Sequence, residues 1–309
     1  MTGLQPLYRT SRTRALFLAR ILPGIFALLA AVSAQQPPPA ELVRDAIQNQ
    51  MNADAHSHLF AWTQRNYRGR STQVERLVDT PQGIVSRVVL IDDKPLSPAQ
   101  RSAEDERSRK MLDPAQMRRK RKEQLEDDER TRKMLAAIPD AFDFVYLDSL
   151  TGPNGHKLTR IKFSPRATFD PPSRETTVFT GMQGEMLVDE SARRLAKIDG
   201  MLFRDVNFGW GILGRLYKGG RFFVEQSEVT PSHWEATKMV LHFDGKALML
   251  KSIHIDDNET SWDFRPVPPM SVEQALDFLA HGQPEQNASS RTSPGWSPRV
   301  PSDARSGSL

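Results

Sequence analysis

Residues 40–51 place Leu42, Ala46, Ile47 and Met51 at helical spacing, one stripe on a helix, so this stretch is predicted to be a single amphipathic helix lying on another surface. Beyond it the period shortens to that of strands. Residues 59–66, 72–79 and 84–91 are such runs, and Thr80-Pro81-Gln82-Gly83 separates the last two, which predicts an antiparallel meander. Between 97 and 139 the strand pattern stops. Ser97-Pro98-Ala99-Gln100 and Asp113-Pro114-Ala115-Gln116 each supply a cap, a proline at the first helical position and a glutamine three residues after the cap, predicting two consecutive helices. Their apolar positions are sparse (Met111, Leu112, Met117, Leu125, Met134, Leu135 and Ile138), so the pair is expected to be a charged insertion joined to the rest by one thin stripe. Strand runs resume at 142–147 and 157–163, continue at 177–188, 194–203, 221–229, 234–243 and 247–255, and end at 261–264. Residues 271–280 form a short helix capped by Ser271 with Gln274, and from 281 to 309 the apolar residues give way to Pro, Ser, Gly and Asn, predicting a disordered tail.

Asp244-Gly245 between two apolar runs is the pattern of a tight type I′ hairpin turn. With the turn there, Met239, Leu241, Phe243, Leu248 and Leu250 share one face, and Trp234, Val240, Met249, Ile253 and Ile255 share the other. Both faces are apolar, so both are predicted to be covered, one by a helix and the other by a further layer or a ligand. The same register opposes Lys238 to Lys251, an unfavourable pair.

The N-terminus changes the picture of where the protein works. Arg9, Arg12, Arg14 and Arg20 precede a short apolar run at 21–32, and Val32-Ser33-Ala34 offers small residues at a peptidase's −3 and −1 sites, so residues 1–34 read as a secretory signal peptide cleaved near Ala34. The run is too short for an untilted membrane helix, and no Cys follows to accept a lipid, so no stable membrane anchor is expected. The mature chain, 35–309, is then periplasmic or secreted, with its β-rich domain over 35–270.

Charge excludes one class of partner. Removing the four leader arginines from the 42 Lys and Arg leaves 38, equal to the 38 Asp and Glu, so the mature chain lacks the cation surplus that nucleic acid requires. The absence of Cys removes thiol chemistry and disulfides. Arg118-Arg119-Lys120-Arg121-Lys122 is followed one turn later by the acids 126–129, as on a self-compensating helix face.

Three patterns resemble chemistry. Gly209-Trp210-Gly211-Ile212-Leu213-Gly214 fits the dinucleotide fingerprint, but strand-rich sequence flanks it where a helix should follow, so a glycine-kinked loop or bulge between strands is expected. His56 and His58 would point to one side of a strand, with His254, Asp256 and Asp257 as distant further ligands; exposed edge histidines are the plainer reading. Glu235 would oppose His254 in the predicted hairpin, as a base and its orienting acid. No complete constellation emerges, so no catalytic residue, metal or cofactor is assigned.

A leader, a first amphipathic helix and a long meander with a helical interruption, with Gly184-Glu185-Met186-Leu187-Val188-Asp189, Leu195-Ala196-Lys197-Ile198-Asp199-Gly200 and Ser261-Trp262-Asp263-Phe264 as its strongest stretches, is similar to the periplasmic lipoprotein carriers of the LolA type over residues 40–268. That resemblance implies a curved, incomplete β-barrel whose concave side, closed by helices, holds acyl chains. The expectation is therefore an α+β, β-rich chain whose antiparallel meander forms a half-barrel or open barrel, with an N-terminal helix and an inserted charged helical pair. Its function is read first as a non-enzymatic carrier of an apolar ligand such as a lipid or lipoprotein acyl chain. The second reading is an envelope interaction module with a side-chain-filled barrel that meets a protein through residues 97–139, and the third a His/Asp-dependent hydrolase.

Overall fold

The computed structural model describes residues 37–54, 59–68, 71–209, 213–247 and 251–281. The proposed signal peptide and all but the first residue of the tail lie outside them, as do His56, His58, Leu248, Met249 and Leu250. The fold is α+β and strand-rich. In chain order it runs α1 (Pro39–Asp54), β1 (Phe60–Arg68), β2 (Ser71–Thr80), β3 (Gly83–Ile91), β4 (Lys94–Pro95), α2 (Pro98–Met111), α3 (Pro114–Ala141), β5 (Phe142–Thr151) and β6 (Lys157–Pro165). A 3₁₀ turn (Glu175–Gly181) follows, then β7 (Met182–Asp189), β8 (Arg194–Leu202), β9 (Val206–Phe208), β10 (Gly214–Leu216), β11 (Arg221–Thr230), β12 (His233–Ala247), β13 (Lys251–Pro266) and α4 (Val272–His281).

One antiparallel sheet contains every strand, in the order β4-β3-β2-β1-β13-β12-β11-β8-β7-β6-β5, with the β9–β10 hairpin hung on β12. The sheet is open, since β4 and β5 end it without pairing to each other. The two ends are held differently. Along β5 to β8 the inner face is filled by α1 and the end of α3: Val43, Ala46, Ala141, Ile161 and Leu202 are fully buried together. Burying each large aliphatic there is worth about 1.5–3 kcal/mol. Phe142 meets Phe163 edge-on at 4.8 Å between ring centroids. At the other end, α4 lies on the outer face, its Ala275 and Leu279 packed with Ala61, Val78 and Val85. Strand β2 is therefore covered on both sides, which is why its neighbours Leu77 and Val78 are both buried.

The predicted helical pair forms, with the capping box of Ser97 and Gln100 in place and Asp113 accepting from the Ala115 N–H. It is more than a loose insertion. Helix α2 runs along the β3 edge of the sheet, where the Glu104 carboxylate accepts from the Val88 N–H at 2.9 Å and Arg107 donates to the Ser86 carbonyl at 2.7 Å. Arg107 also holds Glu104 at 2.7 Å, and that bond raises the guanidinium's proton affinity further. A carboxylate and a guanidinium here take the place of a neighbouring strand's backbone. Helix α3 then spans about 42 Å at 1.5 Å per residue for its 28 residues. It touches β3 at one end and α1 and β5 at the other, so it joins the two ends of the open sheet. Met117 anchors the first end and Ala137, Ile138 and Ala141 the second. Between them Leu125 is half exposed, and Arg119–Glu123 and Lys122–Glu126 pair one turn apart, the self-compensating face expected from the sequence.

Two strand expectations are corrected. Residues 177–181 belong to the 3₁₀ turn, and β7 begins at Met182. The runs 234–243, 247–255 and 261–264 are parts of two long strands, because β12 passes straight through Asp244-Gly245. The observed ladder pairs Phe243 with Ile255, Leu241 with Asp257 and Met239 with Glu259. Gly245 does not take a positive φ. A Cβ there would stand 2.3 Å from the Arg215 carbonyl oxygen of β10, so this glycine serves a close approach of two backbones. The Lys238–Lys251 clash disappears, since Lys238 now faces Thr260 and Glu225.

Candidate functional site

The longer ladder re-sorts the hairpin residues. Alternation keeps Met239, Leu241 and Phe243 on the inner face and, through the pairs Phe243–Ile255 and Gly245–Ile253, brings Ile253 and Ile255 onto it. A turn at Asp244-Gly245 puts these two isoleucines on the opposite face; Phe243 instead pairs with Ile255 rather than Lys246, and a register shifted by an odd number of residues exchanges the faces of one strand relative to the other. Val240 points the other way, in register with Phe223. Trp234 leaves the strip and packs with Leu158 and Ala196 in a small cluster of its own. Leu248, Met249 and Leu250 lie outside the described residues.

Strand β11 adds two residues that the sequence reading missed. Phe222 pairs with Leu241 and Val224 with Met239, so both lie on the inner face. No signal within one strand's own period says which strand becomes its neighbour. Together Phe222, Val224, Met239, Leu241, Ile253 and Ile255 form an apolar strip over three adjacent strands. It continues from the buried Phe243 and is only partly covered: Ile255 is 36% exposed, and Phe222 and Leu241 are partly buried against the core. At one end, two residues past Val224 on the same face, Gln226 Oε1 is buried without a hydrogen-bond partner among the described residues. Such an acceptor costs about 1–3 kcal/mol unless something donates to it. At the β13 side the rows Leu241–Asp257 and Met239–Glu259 pass from apolar to acidic.

The outer face of the same hairpin is polar. Asp244 accepts from His254 Nδ1 at 2.7 Å, and His242 stands 3.5 Å from Asp256 and 3.6 Å from Asp244. Glu235 opposes Ser227, not His254, so the expected acid–base pair is not assembled. The Asp244 carboxylate raises the pKa of exposed His254. A raised folded-state pKa means that the pairing stabilises fully below the ordinary histidine range and is lost as pH rises through the shifted value. An NMR titration of the His254 ring is expected to show a midpoint above that of a free histidine, and Asp244→Asn should return it to the ordinary range; an unchanged midpoint would refute the pairing.

The other chemical patterns resolve into structure. Of the glycine-rich stretch, Trp210, Gly211 and Ile212 lie outside the described residues; Phe208 and Gly214 on either side pair as β9 and β10, Gly209 has φ +55°, and the next element is a strand, β11, where a dinucleotide fold would have a crossover helix. His56 and His58 are outside the described residues, but the strand that follows them begins at Phe60, opposite Pro266, whereas Asp257 pairs with Arg68. Eight residues of strand at about 3.3 Å each separate those positions, so Asp257, and with it His254 and Asp256, stands at the far end of the β1–β13 pair from Phe60. Among the described residues no three His, Asp or Glu are grouped to hold a metal, and no helix is long and apolar enough to cross a membrane. Two clefts, of about 680 and 480 Å³, flank α3 against residues 166–176 rather than the apolar strip.

No family model matches the chain, and no curated protein matches it. Among solved structures, a DUF1329 family protein from Desulfovibrio piger is similar at 10% identity, with 76% of this chain and 95% of that chain covered and a TM-score of 0.25.

Proposed function

We propose that the chain is an exported, non-enzymatic carrier or binding protein for an amphiphile, whose acyl chain lies along Phe222, Val224, Met239, Leu241, Ile253 and Ile255. The observation that carries this reading is the strip itself, apolar, continuous with the core and left partly open on the inner side of the sheet. Each methylene buried against it would contribute about 0.8 kcal/mol. The unpartnered Gln226 Oε1 at its end suits a ligand whose head donates a hydrogen bond. The resemblance of the sequence to lipoprotein carriers of the LolA type points to the same ligand class.

A second reading, an interaction module with a filled interior, draws support from the β5–β8 end, where α1 and the end of α3 pack on the inner face. It draws less from the charged helices, because α2 spends Glu104, Arg107 and the Asp105–Arg87 pair on its own sheet edge.

Uptake of a fluorescent fatty acid separates the two. Leu241→Asp is expected to weaken saturable uptake at least tenfold, about 1.4 kcal/mol, because a carboxylate would stand in the apolar strip. Val240→Asp, on the opposite face, should retain uptake. Wild-type protein that shows no saturable uptake and carries no lipid by mass spectrometry would overturn the carrier reading in favour of the filled module.

A further inference from the structure

The turn between β5 and β6 carries the one Asn-Gly pair of the chain, Asn154-Gly155. An asparagine followed by glycine is prone to cyclise, because the glycine nitrogen has no side chain beside it to hinder its approach to the asparagine amide carbon. Both residues are exposed, Gly155 takes φ +80°, and nothing stands within 4 Å of where its Cβ would be. The surroundings of the Asn154 amide serve that reaction. Its Oδ1 accepts from the His156 backbone N–H at 3.2 Å, which draws electrons from the amide carbon and is placed to hold the negative charge that forms on this oxygen during attack. Its Nδ2, the leaving nitrogen, stands 3.0 Å from His156 Nδ1. That Nδ1 also lies 2.8 Å from Asp189 Oδ2, so it bears the hydrogen that the carboxylate accepts. Two donors therefore face each other at Nδ2 and Nδ1, and turning the amide over would only aim Nδ2 at the His156 N–H instead. As a structural hydrogen bond the contact fails, but a proton donor beside a departing amine is what amide cleavage uses. Asp189 is fully buried, and its other oxygen accepts from the Ser191 and Ala192 N–H groups at 2.9 Å each, so the carboxylate that holds the imidazole is itself fixed.

We propose that Asn154 is a site of self-modification, where the chain converts its own amide to aspartate and isoaspartate with His156 as proton donor and Asp189 as its positioning residue. The Gly155 nitrogen bonds to Asn154 Cγ and the Cγ–Nδ2 bond breaks. His156 Nδ1 delivers its proton to the leaving ammonia and is restored by the proton that the Gly155 nitrogen gives up. Water then opens the five-membered imide at either carbonyl. For the attack the Gly155 N–H must leave the Gly152 carbonyl, which it meets at 3.0 Å, while the other closing bond of the turn, from the Gly152 N–H to the His156 carbonyl at 2.8 Å, can stay. The carboxylate formed competes with Asp189 for the one imidazole, so the modification loosens the tie between this turn and the β7–β8 turn.

Peptide mapping by mass spectrometry of the full chain, incubated folded and in denaturant, tests the proposal. Ordered structure ordinarily slows this cyclisation, so an Asn-Gly pair that is merely exposed reacts no faster folded than unfolded. Here the folded chain is expected to lose the Asn154 amide about tenfold faster than the unfolded one, a modest share of the roughly 10²–10⁴-fold that a well-placed proton donor supplies. His156→Gln keeps the backbone N–H on Oδ1 and is expected to lose most of that gain while still melting cooperatively. A folded chain that reacts no faster than the unfolded one would overturn the proposal, as would a folded His156→Gln protein that reacts as fast as wild type. The wild-type comparison needs no variant, so it decides the matter even where the substitution disturbs the turn.

Discussion

Replacing residues 97–139 by a short polar linker is expected to abolish cooperative folding. The composition of this block suggests a dispensable insertion, and its surface is indeed mostly charged. Its few apolar residues, however, are its anchors: Met111 and Met117 are buried at the β1–β3 end of the sheet, and Ala137 and Ile138 at the α1 end. The two methionines and the isoleucine alone represent about 2 kcal/mol each, and the edge of β3 would lose Glu104 and Arg107. That loss is comparable with a typical total stability of about 5–15 kcal/mol. Far-UV dichroism through a thermal melt measures it. A truncated protein that still melts in one sharp transition, with its strand signal intact, would show that the helices only decorate the sheet. The finer variant Glu104→Leu isolates the edge. It leaves the Val88 N–H without its acceptor and Arg107 without its charge partner, and is expected to cost about 2–3 kcal/mol.

Gly184→Ala is expected to destabilise the protein by about 4 kcal/mol, a large effect for one methyl group. Register places Phe163, Gly184, Gly200 and Phe222 in one row across four strands. A Cβ on Gly184 would lie 2.0 Å from the Asp199 carbonyl oxygen and 2.9 Å from the Gly200 Cα. Both are backbone atoms, so no side-chain rotation can relieve the contact. A Cβ on Gly200 would instead meet Met182 Sδ at 3.0 Å and Phe163 Cζ at 3.3 Å, both at the ends of side chains. Gly200→Ala should therefore be the milder of the two. Denaturant unfolding of both variants, with the exposed Val145→Ala as a reference expected within about 0.5 kcal/mol of wild type, checks the order; equal losses at the two glycines would contradict this account.

Much of the fold was legible in the order of apolar and polar residues. The period of 40–51 identified α1, the proline-bearing caps at Ser97 and Asp113 identified α2 and α3, and the Ser271–Gln274 pair identified α4, because caps and periodicity depend on residues within a turn of each other. Most strands were legible for the same reason. The candidate site was legible only in part. Met239, Leu241 and Phe243 share a face in any register, since alternation along one strand does not depend on the partner.

Their neighbours depended on the tertiary structure. Asp244-Gly245 carries the local preference of a tight turn, yet the backbone of β10 approaches Gly245 so closely that the residue is needed extended, and β12 continues past it. That shift brought Ile253 and Ile255 to the inner face and removed Glu235 from His254, and the pairing of β11 with β12 made Phe222 and Val224 part of the strip. The sequence by itself determined the element types, the balanced charge and the absence of thiol chemistry, all of which rest on composition or on contacts a few residues apart. The strand order, the register of β12 on β13 and the use of Glu104 and Arg107 to close one sheet edge were decided by tertiary packing. They join residues as far apart as Phe60 and Pro266, and even the nearer pairs of β12 and β13 depend on what packs against them, so the energy that selects among such pairings belongs to surfaces that exist only once the chain has folded.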